Sequence, residues 1–138
     1  KGGPMIAPTL WRDLILPFHR RIVDELDAPV IWHSDGNVEA LLPYAIEAGF
    51  VGIHGVDSVA GMDLAKVKRE YGRDLVLIGN VDVRVLFGAD LDAVRAEVDR
   101  CFEQGAPGGG YMFASCNSIC EGMNPDAVVE MVRYAQNR

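Results

Sequence analysis

The 138 residues carry 20 Asp and Glu against 13 Lys and Arg, a formal net charge of -7. That balance argues against nucleic acid as a partner, because phosphate neutralisation needs clustered cations. Hydrophobic residues make up 49% and charged residues 24%, the proportions of a folded globular domain.

No apolar run reaches the ~20 residues of a membrane span, and no signal-peptide pattern opens the chain. The cysteine count is odd, with Cys101, Cys116 and Cys120 and no Cys-x-x-Cys pair, which points to a reducing, cytoplasmic setting. The basic cluster His19-Arg20-Arg21 reads as a solvated helix face. The first residue is Lys and not Met, so the sequence reads as part of a longer protein.

In chain order, Leu10 to Leu26 is predicted to be an amphipathic helix with Thr9 as its N-cap, kinked or split by Pro17. Pro29 to His33 is a short apolar run that reads as a buried strand. Val38 to Ala48 is helical and ends at Gly49. Phe50 to Val56 is a second strand, followed by a helix from Ala60 to Tyr71 that Gly72 closes. Leu75 to Gly79 is a third strand. Ala89 to Gln104 is a long helix with Asp90 as cap, closed by Gly105. Gly110 to Ser115 is a fourth strand. The last helix, Pro125 to Gln136, has Asn124 as N-cap and Pro125 at its first position.

Strand and helix alternate four times, the mark of parallel βα units. The strands are apolar throughout, as expected when both sheet faces are covered. Two architectures fit: a small open doubly wound sheet, or half of a (β/α)8 barrel. The polar residues favour the barrel. Each strand runs into a polar cluster: His33-Ser34-Asp35-Gly36-Asn37, His54-Gly55-Val56-Asp57-Ser58, Gly79-Asn80-Val81-Asp82 and Ser115-Cys116-Asn117-Ser118. An open sheet concentrates its chemistry at one switch point, whereas four dressed ends suit four adjacent staves around one mouth. No strand is followed by Gly-x-Gly-x-x-Gly; Gly108-Gly109-Gly110 precedes a strand and is not a dinucleotide loop.

These clusters, in this order and with Asp63, Lys66-Val67-Lys68 and Tyr71-Gly72 between them, resemble the C-terminal half of uroporphyrinogen decarboxylase superfamily barrels. The resemblance runs from Gly3-Pro4 to Met131. It implies an α/β fold: four parallel βα units, residues 1–138, forming the second half of a TIM (β/α)8 barrel.

Two branches of that superfamily are relevant. Gly79-Asn80-Val81-Asp82 is similar to a motif of the decarboxylase branch, but Asn117 stands where that branch has a histidine after the last strand. In the corrinoid-linked methyltransferase branch, zinc is held by a His-x-Cys after one strand and a distant cysteine after the last. His33-Ser34-Asp35 resembles that His-x-Cys with Asp35 in the cysteine's place, and Cys116 matches the distant ligand. The resemblance thus implies a zinc set of His33, Asp35 and Cys116, and methyl transfer involving a corrinoid protein or a thiol.

The residues themselves allow that chemistry. Zinc accepts imidazole, thiolate and carboxylate ligands and keeps one position open in catalytic sites. His33 and Asp35 share a side of an extended segment. Asp35 and Asp57 are the candidate catalytic carboxylates, Asp35 as a general base. His54, Asn80, Asp82 and Asn117 are the candidate substrate contacts.

Plainer roles stand beside these. Asp35 suits a turn and helix cap, His33 a rim histidine, Cys116 a small buried thiol, and Asn80 and Asp82 caps. Cys101 and Cys120 read as inert. Three functions follow: metal-assisted methyl transfer, decarboxylation of a tetrapyrrole, or an inactive domain that only associates. A half-barrel exposes raw strand edges, so a second copy or the first half of the barrel is expected as partner.

Overall fold

The computed structural model describes residues 3–138; Lys1 and Gly2 lie outside the described residues. Strands β1 (Ile31–His33), β2 (Gly52–Gly55), β3 (Val76–Val81) and β4 (Tyr111–Ser115) form one sheet in the order β1-β2-β3-β4. Every neighbouring pair is parallel. The strand order never reverses, so there is no switch point of the doubly wound kind. This is the order of consecutive barrel staves.

The first predicted helix is two, α1 (Pro8–Leu14) and α2 (Leu16–Glu25), broken at Ile15 with Pro17 in the first turn of α2. Thr9 does not cap α1. Pro8 opens it behind Ala7, which makes no side-chain cap, because a fixed φ and a missing N–H suit the first helical position.

The remaining helices are α3 (Leu42–Glu47), α4 (Leu64–Tyr71), α5 (Leu91–Gly105) and α6 (Pro125–Ala135). Asp90 and Asn124 cap α5 and α6 as expected, accepting backbone N–H bonds at 3.0–3.1 Å. The expected helix from Ala60 begins only at Leu64, where Asp63 accepts from the Lys66 N–H. Among the described residues, no helix is long and apolar enough to cross a membrane.

The register decides which side chains face which way. Trp32, Ile53, Leu77 and Tyr111 form one row across the sheet and point to the helices. Ile53 and Leu77 are fully buried there with Leu42, Leu64 and Val67. Under α5 and α6 a second core gathers Val81, Val94, Val98, Ala127 and Met131. Val94, Val98 and Cys101, all on one stripe of α5, are completely buried. Each such side chain contributes about 1.5–3 kcal/mol through burial. Gly105 ends that stripe, because a Cβ there would lie 2.5 Å from the Tyr111 ring.

The next row, His33, His54, Ile78 and Met112, faces the other way, onto the surface that would line a barrel's interior. Met112 is 55% exposed.

Candidate functional site at the strand ends

His33 and His54 are direct partners in the β1–β2 register, and each lies at or near the C-terminal end of its strand. Their Nδ1 atoms are 2.8 Å apart. The Nε2 of His54 lies 3.1 Å from the carbonyl oxygen of Ser115, at the end of β4. A carbonyl can only accept, so His54 Nε2 carries its proton. A neutral His54 then presents a bare Nδ1, which accepts from His33 Nδ1–H. A neutral His33 is left with an unprotonated Nε2, 3.6 Å from Asp35 Oδ1. The hydrogen-bond chain thus sets both tautomers and aims one basic nitrogen at the opening.

Asp35 is held in place from two directions. The Asn117 amide donates to Asp35 Oδ1 at 3.0 Å, tying the β4 exit to the β1 exit across 82 residues. The adjoining Gly36 N–H donates to Asp57 Oδ2 at 3.3 Å. Asp57 Oδ1 meanwhile accepts from the Val59 and Ala60 N–H groups at 2.9 and 3.3 Å. Both oxygens of Asp57 are therefore engaged by backbone, and its place is that of an N-cap and a tether for the Asp35 turn. Gly55 lets the two exits approach: its φ is +120°, and a Cβ would fall 2.7 Å from the Ser34 carbonyl oxygen.

Beneath the opening lies a polar stack turned toward the helices. Asn80 is completely buried. Its Nδ2 donates to the Val56 carbonyl at 2.8 Å, and its Oδ1 accepts from Arg100 of α5 at 3.1 Å. Asn80 thus braces Val56, a β-branched residue at φ +50°, a conformation that costs of order 1–3 kcal/mol. The expected substrate contact does not fit Asn80, whose amide is spent on the backbone and on Arg100. Asp82 caps the 3-10 turn Val83–Phe87 and pairs with Arg84 through both oxygens at 2.5–3.0 Å. That guanidinium holds the Asp82 carboxyl below the usual carboxylate range.

Cys116 is 5% exposed. Burial pushes its thiol up, and the nearby carboxylates of Asp57, Asp82 and Asp35 push the same way, against a Val83 backbone N–H. Among the described residues, no group of three or more His, Cys, Asp or Glu side chains is arranged to hold a metal ion. The expected zinc set of His33, Asp35 and Cys116 is not assembled: His33 and Asp35 are exposed neighbours, whereas Cys116 is buried.

The uroporphyrinogen decarboxylase (URO-D) family profile matches residues 2–138. The chain belongs to the URO-D family. It is 29% identical over 146 residues to the uroporphyrinogen decarboxylase of Xylella fastidiosa, covering 97% of this chain and 40% of that protein. It is 32% identical over 143 residues to the uroporphyrinogen decarboxylase of Ralstonia pickettii, covering 94% and 37%. The chain therefore spans about 40% of the length of the curated relatives it matches. A methyltransferase from Methanosarcina mazei superposes with a TM-score of 0.80 at 22% identity, over 96% of this chain and 38% of that one. At that identity the likeness is one of fold: this URO-D chain is half of a (β/α)8 barrel.

In URO-D terms, the polar clusters read from the sequence do converge. Two hydrogen-bonded pairs, His33 with His54 and Asn117 with Asp35, meet where His33 and Asp35 stand 3.6 Å apart, with Asp57 tethered to the Asp35 turn. Sequence reasoning missed the His33–His54 contact, although its signal was present: each histidine stands four residues past the predicted start of its strand, and in-register parallel strands place such residues side by side. It also missed Arg84 and Arg100, which pair with Asp82 and Asn80. A lone arginine on a helix carries no such signal in sequence.

Proposed function

We propose that this chain is the proton-handling half of the mouth of a methyl-transferring URO-D-family enzyme, with His33 Nε2 as the general acid–base atom. The observation behind this is the linked series Ser115 carbonyl, His54, His33 and Asp35, which leaves a single imidazole nitrogen free beside a carboxylate. When His33 Nε2 takes a proton, Asp35 stabilises the imidazolium. Asn117 and Asp57 keep Asp35 in position.

Removing a methyl group from a substrate oxygen or nitrogen leaves a lone pair that needs a proton, and His33 is placed to supply it. A corrinoid or thiol partner would supply the attacking nucleophile. No step is assigned to zinc, because its expected ligands do not gather. This half of the mouth carries the exposed Asp35, with Asp57 tethered to its turn, and Arg84 is already paired to the buried Asp82. Such a surface disfavours a polycarboxylate and suits a neutral or cationic substrate.

The test uses the full-length protein with free cob(I)alamin as acceptor. Loss of general acid catalysis costs roughly 10²–10⁴-fold. His33→Ala should lower transfer from methyl ethers by that much. It should leave trimethylsulfonium nearly unaffected, because dimethyl sulfide departs neutral and needs no proton. Equal losses on both donors would overturn the assignment.

A second reading is decarboxylation, favoured by the curated relatives' names. It predicts carbon dioxide release from uroporphyrinogen and no methyl transfer in the same preparation.

A further inference from the structure

An apolar cavity of about 590 Å³ opens on the Asp35 side of the mouth. Its walls are Met5 and Ile6 ahead of α1, Trp11 of α1, Trp32 of β1 and Leu41, and its rim is Ser34-Asp35-Gly36. The volume lies within the range of small-molecule sites. Trp11 and Trp32 meet with ring centroids 5.7 Å apart and planes at 52°, so two indoles of fixed orientation stand in the wall. These are the two tryptophans of the chain.

A smaller opening of about 290 Å³ lies on the far side of the same turn. It shares Gly36 and Asn37 with the first and has Asp57 in its wall. Asp35 of this turn lines the larger opening, and Asp57, which follows β2, lines the smaller. Among the described residues, neither lining contains a lysine, arginine or histidine.

We infer that the larger cavity takes the body of the substrate: an apolar, ring-sized group whose neutral or cationic polar head turns to the Asp35 rim, 3.6 Å from His33. The indoles offer large apolar surfaces and quadrupoles that favour aryl rings and cations. The rim offers a carboxylate held by Asn117 and, among the described residues, no lysine or arginine. An anionic head placed there would meet the Asp35 carboxylate. This deepens the methyl-transfer reading and rests on it only for the direction in which the substrate points; occupancy of the cavity is measured separately.

Two probes of one shape and opposite charge decide it: 4-methoxybenzylamine and 4-methoxybenzoate. Binding to the full-length protein is followed by calorimetry and by tryptophan fluorescence. The amine should bind at least about tenfold more tightly than the benzoate, the order expected for one close charge contact near a surface. Asp35→Asn should shrink that preference to within about threefold. Ile6→Trp, which fills the cavity from its outer wall without removing a buried side chain, should weaken the amine at least about tenfold. Trp32→Phe should remove most of the fluorescence change on binding, a readout that does not depend on Ile6→Trp folding.

The inference is overturned if neither probe binds, if the two bind alike, or if Ile6→Trp leaves the amine unaffected in a folded protein. Binding of the amine without methyl transfer would support the cavity and sink the transfer reading. Transfer from a methyl ether that ignores Ile6→Trp would do the reverse.

Discussion

The three histidines show how far surroundings decide what one side-chain type does. His33 and His54 sit in register at an opening and hold each other's tautomers. His19, on α2, lies between Trp11 and Phe50 with ring centroids at 5.2 and 5.3 Å, and its buried Nδ1 has no hydrogen-bond partner among the described residues. Burial lowers its pKa below the ordinary imidazole value. The sign of the consequence follows from linkage. Above about pH 6.5, imidazole is neutral in both folded and unfolded chains, and the contribution of His19 to stability is fully present. As pH falls through that value, the unfolded chain takes up a proton that the folded chain refuses, and stability drops. Urea midpoints at pH 7 and pH 5 should therefore fall further for the native sequence than for His19→Phe; equal falls would place His19 in water. The sequence placed His19 in a basic, solvated cluster, and Arg20 and Arg21 are indeed exposed. His19 departs from it because the aromatic residues that cover it come from α1 and from the segment just before β2, a tertiary contact invisible in the local pattern.

At the scale of elements, the alternation of strand and helix was legible because both faces of a parallel sheet demand unbroken apolar runs and each helix demands one apolar stripe. The ends of elements were less legible, and the site depends on the ends. Asp57 read as a catalytic carboxylate, yet the 3-10 turn Ser58–Ala60 that it caps falls where the sequence suggested the start of a long helix. Asn80 read as a substrate ligand, yet it supports the strained Val56 from below. The two act on one path: Asn80 holds Val56, Val56 leads to Asp57, and Asp57 holds the Gly36 N–H beside Asp35. Asp57→Ala should cost about 1–2 kcal/mol, as the loss of a helix cap does. Asn80→Leu should cost more, about 1–3 kcal/mol for the stranded Val56 carbonyl alone, with Arg100 also left short of a partner. Chemical denaturation of the full-length protein measures both. If Asn80→Leu is neutral for stability but abolishes substrate binding, the bracing role is wrong and direct contact is right.

At the scale of the molecule, the sheet is covered on one face only. The helices bury the row of Trp32, Ile53, Leu77 and Tyr111, whereas the opposite row leaves Met112 55% exposed and Ile31, on the same face, 45% exposed. Among the described residues, the outer edges of β1 and β4 have no strand partner. Parallel sheets are stable with both faces dry, and unpaired edges recruit further strands. The relatives it matches are about two and a half times as long, and their remaining length supplies enough chain for the other four staves. Residues 1–138 expressed alone should therefore run as a dimer or larger species in light-scattering chromatography and bind an apolar dye. Met112→Lys, which puts a charge into the exposed inner row without touching the helix-side core, should shift that species toward the monomer, because a buried lysine has no partner there. The full-length protein should neither bind the dye nor self-associate through this face. A dye-silent monomer of 15.1 kDa from residues 1–138 would mean that the inner row tolerates water, and that the histidine pair needs no second half to complete its surroundings.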